Sequence, residues 1–291
     1  MRAFRHVDVF TRAPFSGNGL TVFPESDGLS AAQMQRVTQE MRQFESIFLV
    51  ATEDAHEAVA RVFTVEEELD FAGHPVLGAA CVLHERLAGA GERETWRIRL
   101  NRSIAPVTTV RREGWYSATM EQGAPVFGEI ASPELRAEYA AALSLTIDDL
   151  DEALPLQMVS TGLPYLLVPV RTGLERACIA HPAFEALLGR IGAKFVYVFD
   201  PQAREGRTWD NAGLVEDVAT GSAAGPTVAY LVRYGLAQPE TEIILAQGRF
   251  VGRPSQILAR VAGTAEAITG VSVGGDVCMV GGGEIVEPTE V

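Results

Sequence analysis

The chain has 291 residues, more than a single hydrophobic core usually spans, so two domains of roughly 120 to 150 residues are expected. Its composition, 47% hydrophobic and 21% charged, is that of an ordinary globular protein. The formal net charge of −14 argues against nucleic acid or an anionic membrane surface as partner, and no stretch approaches the roughly 20 apolar residues of a membrane span.

Residues 3–10 alternate like a strand, and the amino terminus lacks the long apolar block of a signal peptide. A second strand is expected at 18–23, after the turn Pro14-Phe15-Ser16-Gly17. Ser30 followed by Gln33 reads as a capping box that opens an amphipathic helix through about Arg42. Strands follow at 45–50 and 58–65. The apolar run 75–87 then reads as a helix with Pro75 in its first position. That run is apolar on nearly all sides, as befits a helix enclosed by other structure. Strands are expected at 95–100, 105–111 and 116–120, and a domain boundary near Gln122-Gly123-Ala124-Pro125. Beyond it, a helix covers 132–143, strands cover 156–160 and 165–170, and a second apolar helix runs from about Ala223 to Gly235. Short strands around one buried helix, twice over, indicate an α+β fold and not a doubly wound sheet.

The repetition is visible in register. Gly73 and Gly221 stand 148 residues apart, about half the chain, and each leads an apolar run. At the same offset Ile47-Phe48-Leu49-Val50 falls opposite Phe195-Val196-Tyr197-Val198. The chain therefore reads as a duplicated half with a glycine-led helix start in each copy. Two such starts facing one cleft would gather unpaired N–H groups and positive dipole on a single anionic ligand.

Cys81, Cys178 and Cys278 are isolated, without the paired spacing of zinc or redox sites, and the odd count suggests reduced thiols in the cytoplasm. His6, His56, His84 and His181 are scattered, so no metal site is expected. Lys194 is the only lysine, which argues against a Schiff-base enzyme. The glycines form neither a Walker loop nor a dinucleotide fingerprint, and Gly221-Ser222-Ala223-Ala224-Gly225 is not a hydrolase elbow.

Several stretches resemble one family. They are Val7-Asp8-Val9-Phe10 with Gly17-Asn18, then Glu45 before a strand, then Glu68-Leu69 followed by Phe71-Ala72-Gly73-His74-Pro75. They continue with Ser160-Thr161-Gly162-Leu163-Pro164, Glu216-Asp217 ahead of Ala219-Thr220-Gly221-Ser222-Ala223, and Gln247-Gly248 with Gly252-Arg253-Pro254-Ser255. In this order they resemble the phenazine-biosynthesis PhzF-like isomerases, whose fold is that of diaminopimelate epimerase. The resemblance implies two pseudo-symmetric domains, each a β-barrel-like sheet around a central helix, with the active site between them. On this basis residues 1–121 form the first domain, 122–279 the duplicated one, and 280–291 a segment returning to the first. The resemblance also implies a cofactor-independent isomerase, commonly a homodimer, that moves a proton on a small acidic substrate with Glu45 as acid/base. The chain departs from the family pattern at Gly19, Asp70 and Val218, where proline is usual, and at Thr208-Trp209-Asp210.

The residues themselves support proton chemistry. Glu45 lies between Phe44 and Ser46-Ile47-Phe48, an apolar setting expected to raise its pKa toward the range useful for general acid–base work. His74, at a helix start, is placed to orient substrate or assist proton movement. Asp217 either hydrogen-bonds a substrate amino or hydroxyl group or caps the turn before the second helix. Ser222 and the N–H groups of Gly73, His74, Gly221 and Ser222 suit a substrate carboxylate. Shifting Glu45 by the repeat interval lands on Ala193, and shifting Asp217 back lands on Leu69. The epimerase relatives use a cysteine at each helix start, and neither is present here. One-sided proton chemistry is therefore expected, with a racemase or epimerase, or a non-catalytic binder of small acids, as alternatives.

Overall fold

Ser30 accepts from the Gln33 N–H while the Gln33 side chain accepts from the Ser30 N–H, so the capping box opens α1 (Ala31–Met41) where the sequence places it. Arg42, in the left-handed region at φ 57°, ends the helix. The computed structural model describes residues 1–70 and 72–289. Phe71, the first residue of the glycine–histidine stretch, lies outside the described residues, as do Glu290 and Val291. The chain divides into two units, one of residues 1–121 with 274–291, the other of residues 122–273.

Around α1, the first unit contains β1 (Arg2–Val9), β2 (Asn18–Phe23), β3 (Glu45–Ala51), β4 (Glu57–Thr64), β5 (Glu68–Leu69), α2 (His74–Arg86), β6 (Arg93–Arg99), β7 (Ile104–Arg111) and β8 (Tyr116–Gly123). Strand β2 is buried along its whole length, its Asn18 and Thr21 included, whereas β6 alternates and buries Trp96 and Ile98. Helix α2 packs on β7, β2, β1, β3 and β6, so its all-round apolar surface is enclosed as expected. Gly78 makes the close approach possible, since a β-carbon there would stand 2.5 Å from Leu20 and 3.1 Å from both Val7 and Val9. On the other face of the sheet α1 covers Phe23, Phe48 and Phe63; the first two stack at 4.7 Å and the last two meet edge to face.

The second unit contains β9 (Val126–Ile130), α3 (Pro133–Ala142), β10 (Gln157–Ser160), β11 (Pro164–Pro169), α4 (Phe184–Gly189), β12 (Phe195–Asp200), β13 (Glu205–Arg207), α5 (Gly221–Arg233), β14 (Glu242–Gln247), β15 (Ser255–Gly263) and β16 (Ile268–Ile285). Helix α5 is buried on nearly every side and packs on β15, β10 and β11. Helices α3 and α4 share a core with β11 and β12, joined by the Tyr139 hydroxyl donating to the Leu187 carbonyl at 2.9 Å.

The duplication shows in strand polarity. From β1 through β2, β3, β4, β6 and β7 successive pairs run antiparallel, parallel, antiparallel, parallel, antiparallel. From β10 through β11, β12, β13, β14 and β15 the same order recurs. Strand β16 begins in the second unit and ends in the first, where residues 277–285 pair with β1. Gly274 lies against the Ala118 carbonyl of β8, so the sheet of the first unit closes on itself through this strand. The return to the first unit thus begins at Gly274, ahead of the segment 280–291 expected from sequence.

The two helix starts are one residue out of step with the interval between the glycines. Gly73 is the cap residue of α2, whereas Gly221 is the first helical residue of α5 and Thr220 is its cap. Pro75 accordingly occupies the second helical position, not the first.

Candidate active site

Glu45 opens β3, where Leu20 of β2 and Thr64 of β4 flank it across the ladder. Its position at a strand start within a buried sheet leaves the residue only 8% exposed. His74, 4% exposed as the first residue of α2, brings Nδ1 within 3.4 Å of Glu45 Oε2. Asn18 Nδ2, from the first residue of β2, stands 3.4 Å from the same Nδ1. The structure brings together Glu45 and His74, which the sequence singles out separately, and adds Asn18, which it does not. The available signal was a polar residue opening a mostly apolar strand.

Burial pushes the His74 imidazole down to about pKa 3, so the ring is neutral at ordinary pH. With the ring neutral, its 3.4 Å contact with Glu45 is not an ion pair. A neutral ring carries one proton on one nitrogen. If Nδ1 holds it, Glu45 accepts; if Nε2 holds it, Nδ1 accepts from Asn18 or from a protonated Glu45. In both cases Nε2 is buried and has no hydrogen-bond partner among the described residues. A buried polar atom in that condition is costly unless something else satisfies it.

In the second unit the residues before α5 form a dense polar network. The Thr220 hydroxyl donates to Asp217 Oδ2. Thr220 is therefore the cap residue by position, but its side chain makes no cap bond because it is turned to Asp217. The Asp217 N–H donates to the Thr208 carbonyl at 3.0 Å. Gly221 follows as the first helical residue, and its carbonyl accepts from Gln122 Nε2 at 3.1 Å. Gly225 lets Gln122 in, since a β-carbon there would meet its Oε1 at 2.0 Å. The Ser222 hydroxyl is 2.8 Å from the Tyr165 hydroxyl. The first N–H groups of a helix have no partner within it, which leaves those of Gly221 and Ser222 suited to an anion. At α2 the corresponding groups are those of Gly73 and His74, because Pro75 has none.

The departures from the family pattern have local partners. Trp209 packs under the Arg207 guanidinium at 4.9 Å, and Asp210 accepts from the Leu214 and Val215 N–H groups, closing the turn between them. Asp70 pairs with Arg102 at 2.9 Å. Gly19 leaves room for the Gln43 side chain, whose Oε1 would lie 2.5 Å from a β-carbon there. The Val218 carbonyl lies against Gly248, 2.6 Å from where a β-carbon would be.

Among the described residues no group of three or more His, Cys, Asp or Glu side chains is arranged to hold a metal ion. No described helix is long and apolar enough to cross a membrane. All three cysteines are free, and burial raises the thiol pKa of Cys81 and of Cys278.

The family described as phenazine biosynthesis-like protein matches residues 7–283. A trans-2,3-dihydro-3-hydroxyanthranilate isomerase from Pseudomonas chlororaphis is 33% identical over 96% of this chain and 98% of its own length. The structure of a Pseudomonas aeruginosa protein described as a predicted epimerase superimposes with a TM-score of 0.92 at 46% identity, covering 98% of this chain and 99% of that one. A probable proline racemase from Agrobacterium radiobacter shares the fold alone, with a TM-score of 0.65 at 14% identity over 98% of this chain and 93% of its own. The expected α+β epimerase-like architecture is thereby borne out, and so is small-molecule isomerase activity. The chain belongs to the phenazine biosynthesis-like PhzC-PhzF family of isomerases.

Proposed function

We propose that the protein shifts a double bond in a small carboxylate-bearing, amino- or hydroxy-substituted substrate by moving one proton. Glu45 takes the proton from an sp³ carbon, the electron pair enters the adjacent π system, and the proton returns to a second carbon of that system. Substrate and product are isomers, so no electrons are gained or lost and no redox cofactor is required. The observation that supports this most is Glu45 beside a neutral His74 whose Nε2 is buried without a partner among the described residues. In this scheme the substrate supplies that partner. The tautomer of His74 follows the protonation of Glu45, because Nδ1 donates to the carboxylate and accepts from the acid. Gly73 at the start of α2, and Gly221 and Ser222 at the start of α5, are assigned to substrate binding through their N–H groups, and Asp217 to an amino or hydroxyl group of the substrate.

The test uses trans-2,3-dihydro-3-hydroxyanthranilate, the compound named for the P. chlororaphis relative, incubated with the protein in D₂O and followed by NMR. The expected result is a double-bond isomer with part of the original hydrogen retained at the new carbon, since one base carries it. A full wash-out of hydrogen with inversion of a stereocentre would favour an epimerase instead. That alternative is kept because the P. aeruginosa structure is described as an epimerase. It would need Asp217 as the second base, because neither helix start carries a cysteine. No isomer of this compound, and no deuterium uptake by it or by small amino or hydroxy acids, would refute the proposal.

The proposal includes a homodimer, as the family resemblance implies, in the cytoplasm. Three free cysteines support the reducing compartment. Light scattering that gives the mass of one chain would remove the dimer.

A further inference from the structure

We infer that Gln247 is a positioning residue that fixes the direction of the Asp217 carboxylate through Thr220. This builds on the substrate-binding role proposed for Asp217. Gln247 ends β14 and is 1% exposed, yet all four hydrogen-bonding positions of its carboxamide are used. Nε2 donates to the Asp217 carbonyl at 2.9 Å and to Thr220 Oγ1 at 3.0 Å. Oε1 accepts from the Thr220 N–H at 3.1 Å and from the Tyr197 hydroxyl at 3.2 Å.

The polarity of this arrangement is forced. A backbone N–H can only donate, so the atom facing the Thr220 N–H must be the amide oxygen. A backbone carbonyl can only accept, so the atom facing the Asp217 carbonyl must be the amide nitrogen. The two constraints come from different backbone groups and agree. Thr220 Oγ1 therefore accepts a hydrogen bond from Gln247, and its own proton is left to point at Asp217 Oδ2, where the hydrogen bond is found.

Behind Gln247 the Tyr197 ring is wedged against Gly206, whose β-carbon would overlap it at 2.3 Å, and burial holds the phenol protonated. Ahead of it Gly248, at φ 85°, makes the turn that brings the strand end against the Val218 carbonyl. The result is a one-way chain of donors, Tyr197 to Gln247 to Thr220 to Asp217, each member buried. A cap residue at a helix start would ordinarily spend its hydroxyl on the helix. Here Thr220 gives it to the acid, and Gln247 satisfies the Thr220 N–H in return.

The test is a double-mutant cycle. Gln247→Glu keeps the size and the two accepted bonds but replaces the donor, so the Thr220 proton is drawn away from Asp217. Thr220→Val removes the hydroxyl at constant shape, and Thr220→Ser restores it. With trans-2,3-dihydro-3-hydroxyanthranilate as probe, Gln247→Glu and Thr220→Val should each lower kcat/KM at least tenfold. Thr220→Ser should stay within about threefold of the parent, and the Gln247→Glu/Thr220→Val double variant should be no worse than Thr220→Val alone. Losses that multiply in the double variant would overturn the inference. A readout free of substrate is the ¹³C signal of the Asp217 side-chain carboxyl. It should move in the same direction in both single variants and no further in the double; an unmoved signal in Gln247→Glu also overturns the inference. Asp217→Asn separates the two layers. Full turnover in that variant would refute the role of Asp217 itself, whereas an inactive Asp217→Asn beside a fully active Gln247→Glu would refute only the relay.

Discussion

Arg207 and Glu216 form a two-pronged ion pair, Nε to Oε1 at 2.9 Å and Nη2 to Oε2 at 2.6 Å, with both side chains 9% exposed. Arg207 Nη1 donates to the Leu174 and Glu175 carbonyls at 2.8 and 2.9 Å, and the guanidinium carbon lies 4.9 Å from the Trp209 ring and 4.4 Å from that of Phe250. Glu216 directly precedes Asp217, so this pair anchors the segment that leads to α5. Arg207→Ala should destabilise by about 3–5 kcal/mol, because it strands a buried carboxylate. Arg207→Lys should recover only part, lacking the fork that serves the carboxylate and both carbonyls. Urea unfolding of the two variants measures this, and an Arg207→Lys variant as stable as the parent would refute it.

Glu45→Gln keeps size and hydrogen bonding but cannot cycle a proton. Turnover should fall by roughly 10² to 10⁴, the usual contribution of general acid–base catalysis. Affinity for the substrate should change far less, since the helix N–H groups remain. Near-normal turnover would place the acid/base elsewhere.

His74 makes a pH prediction whose sign is fixed by its burial. The unfolded chain takes up the imidazole proton near 6.5, and the folded protein only near about 3. Throughout that window the unfolded state binds the extra proton, so folding stability falls as pH is lowered from about 6.5 to about 3. Above 6.5 the group adds no pH dependence. Urea midpoints of the parent should drop faster than those of His74→Gln across the window; a steeper fall in the variant would show that the ring is charged in the fold.

Gly78→Ala sets two effects against each other. Replacing a helix-interior glycine gains about 1 kcal/mol of helix propensity. The added methyl meets Leu20, Val7 and Val9, all fully buried, and overpacking of that kind costs about 1–3 kcal/mol. Two of the three neighbours are β-branched and stiff, so a net loss of about 1–2 kcal/mol is expected from the unfolding midpoint. A more stable variant would mean that Leu20 has room to turn aside.

What the sequence disclosed and what it withheld follow from distance along the chain. The start of α1 was legible because Ser30 and Gln33 cap each other three residues apart. Helices α2 and α5 were legible because their apolar surfaces are unbroken. The three residues of β13 gave no pattern, and β9, half-exposed, gave none that periodicity could catch. Glu45 was found only through the motifs around it, since its burial depends on β2 and β4. Asn18 and Gln247 escaped because their partners lie 56 and 27 residues away, and only the folded chain pairs them. The glycine interval suggested matching helix starts, yet Thr220 takes the cap position that Gly73 holds in the first unit.

The return of β16 to pair with β1 bears on the order in which the protein is made. The second unit is continuous in sequence, so all of it has left the ribosome once Val273 has emerged. The first unit opens with β1 but cannot seat residues 277–285 beside it until the whole of the second unit has been synthesised. At roughly 5 to 20 residues per second, one side of β1 stays unpaired for many seconds. Such an open strand edge invites pairing with other chains, so nascent chains stalled before Gly274 should be the aggregation-prone species in rapid synthesis.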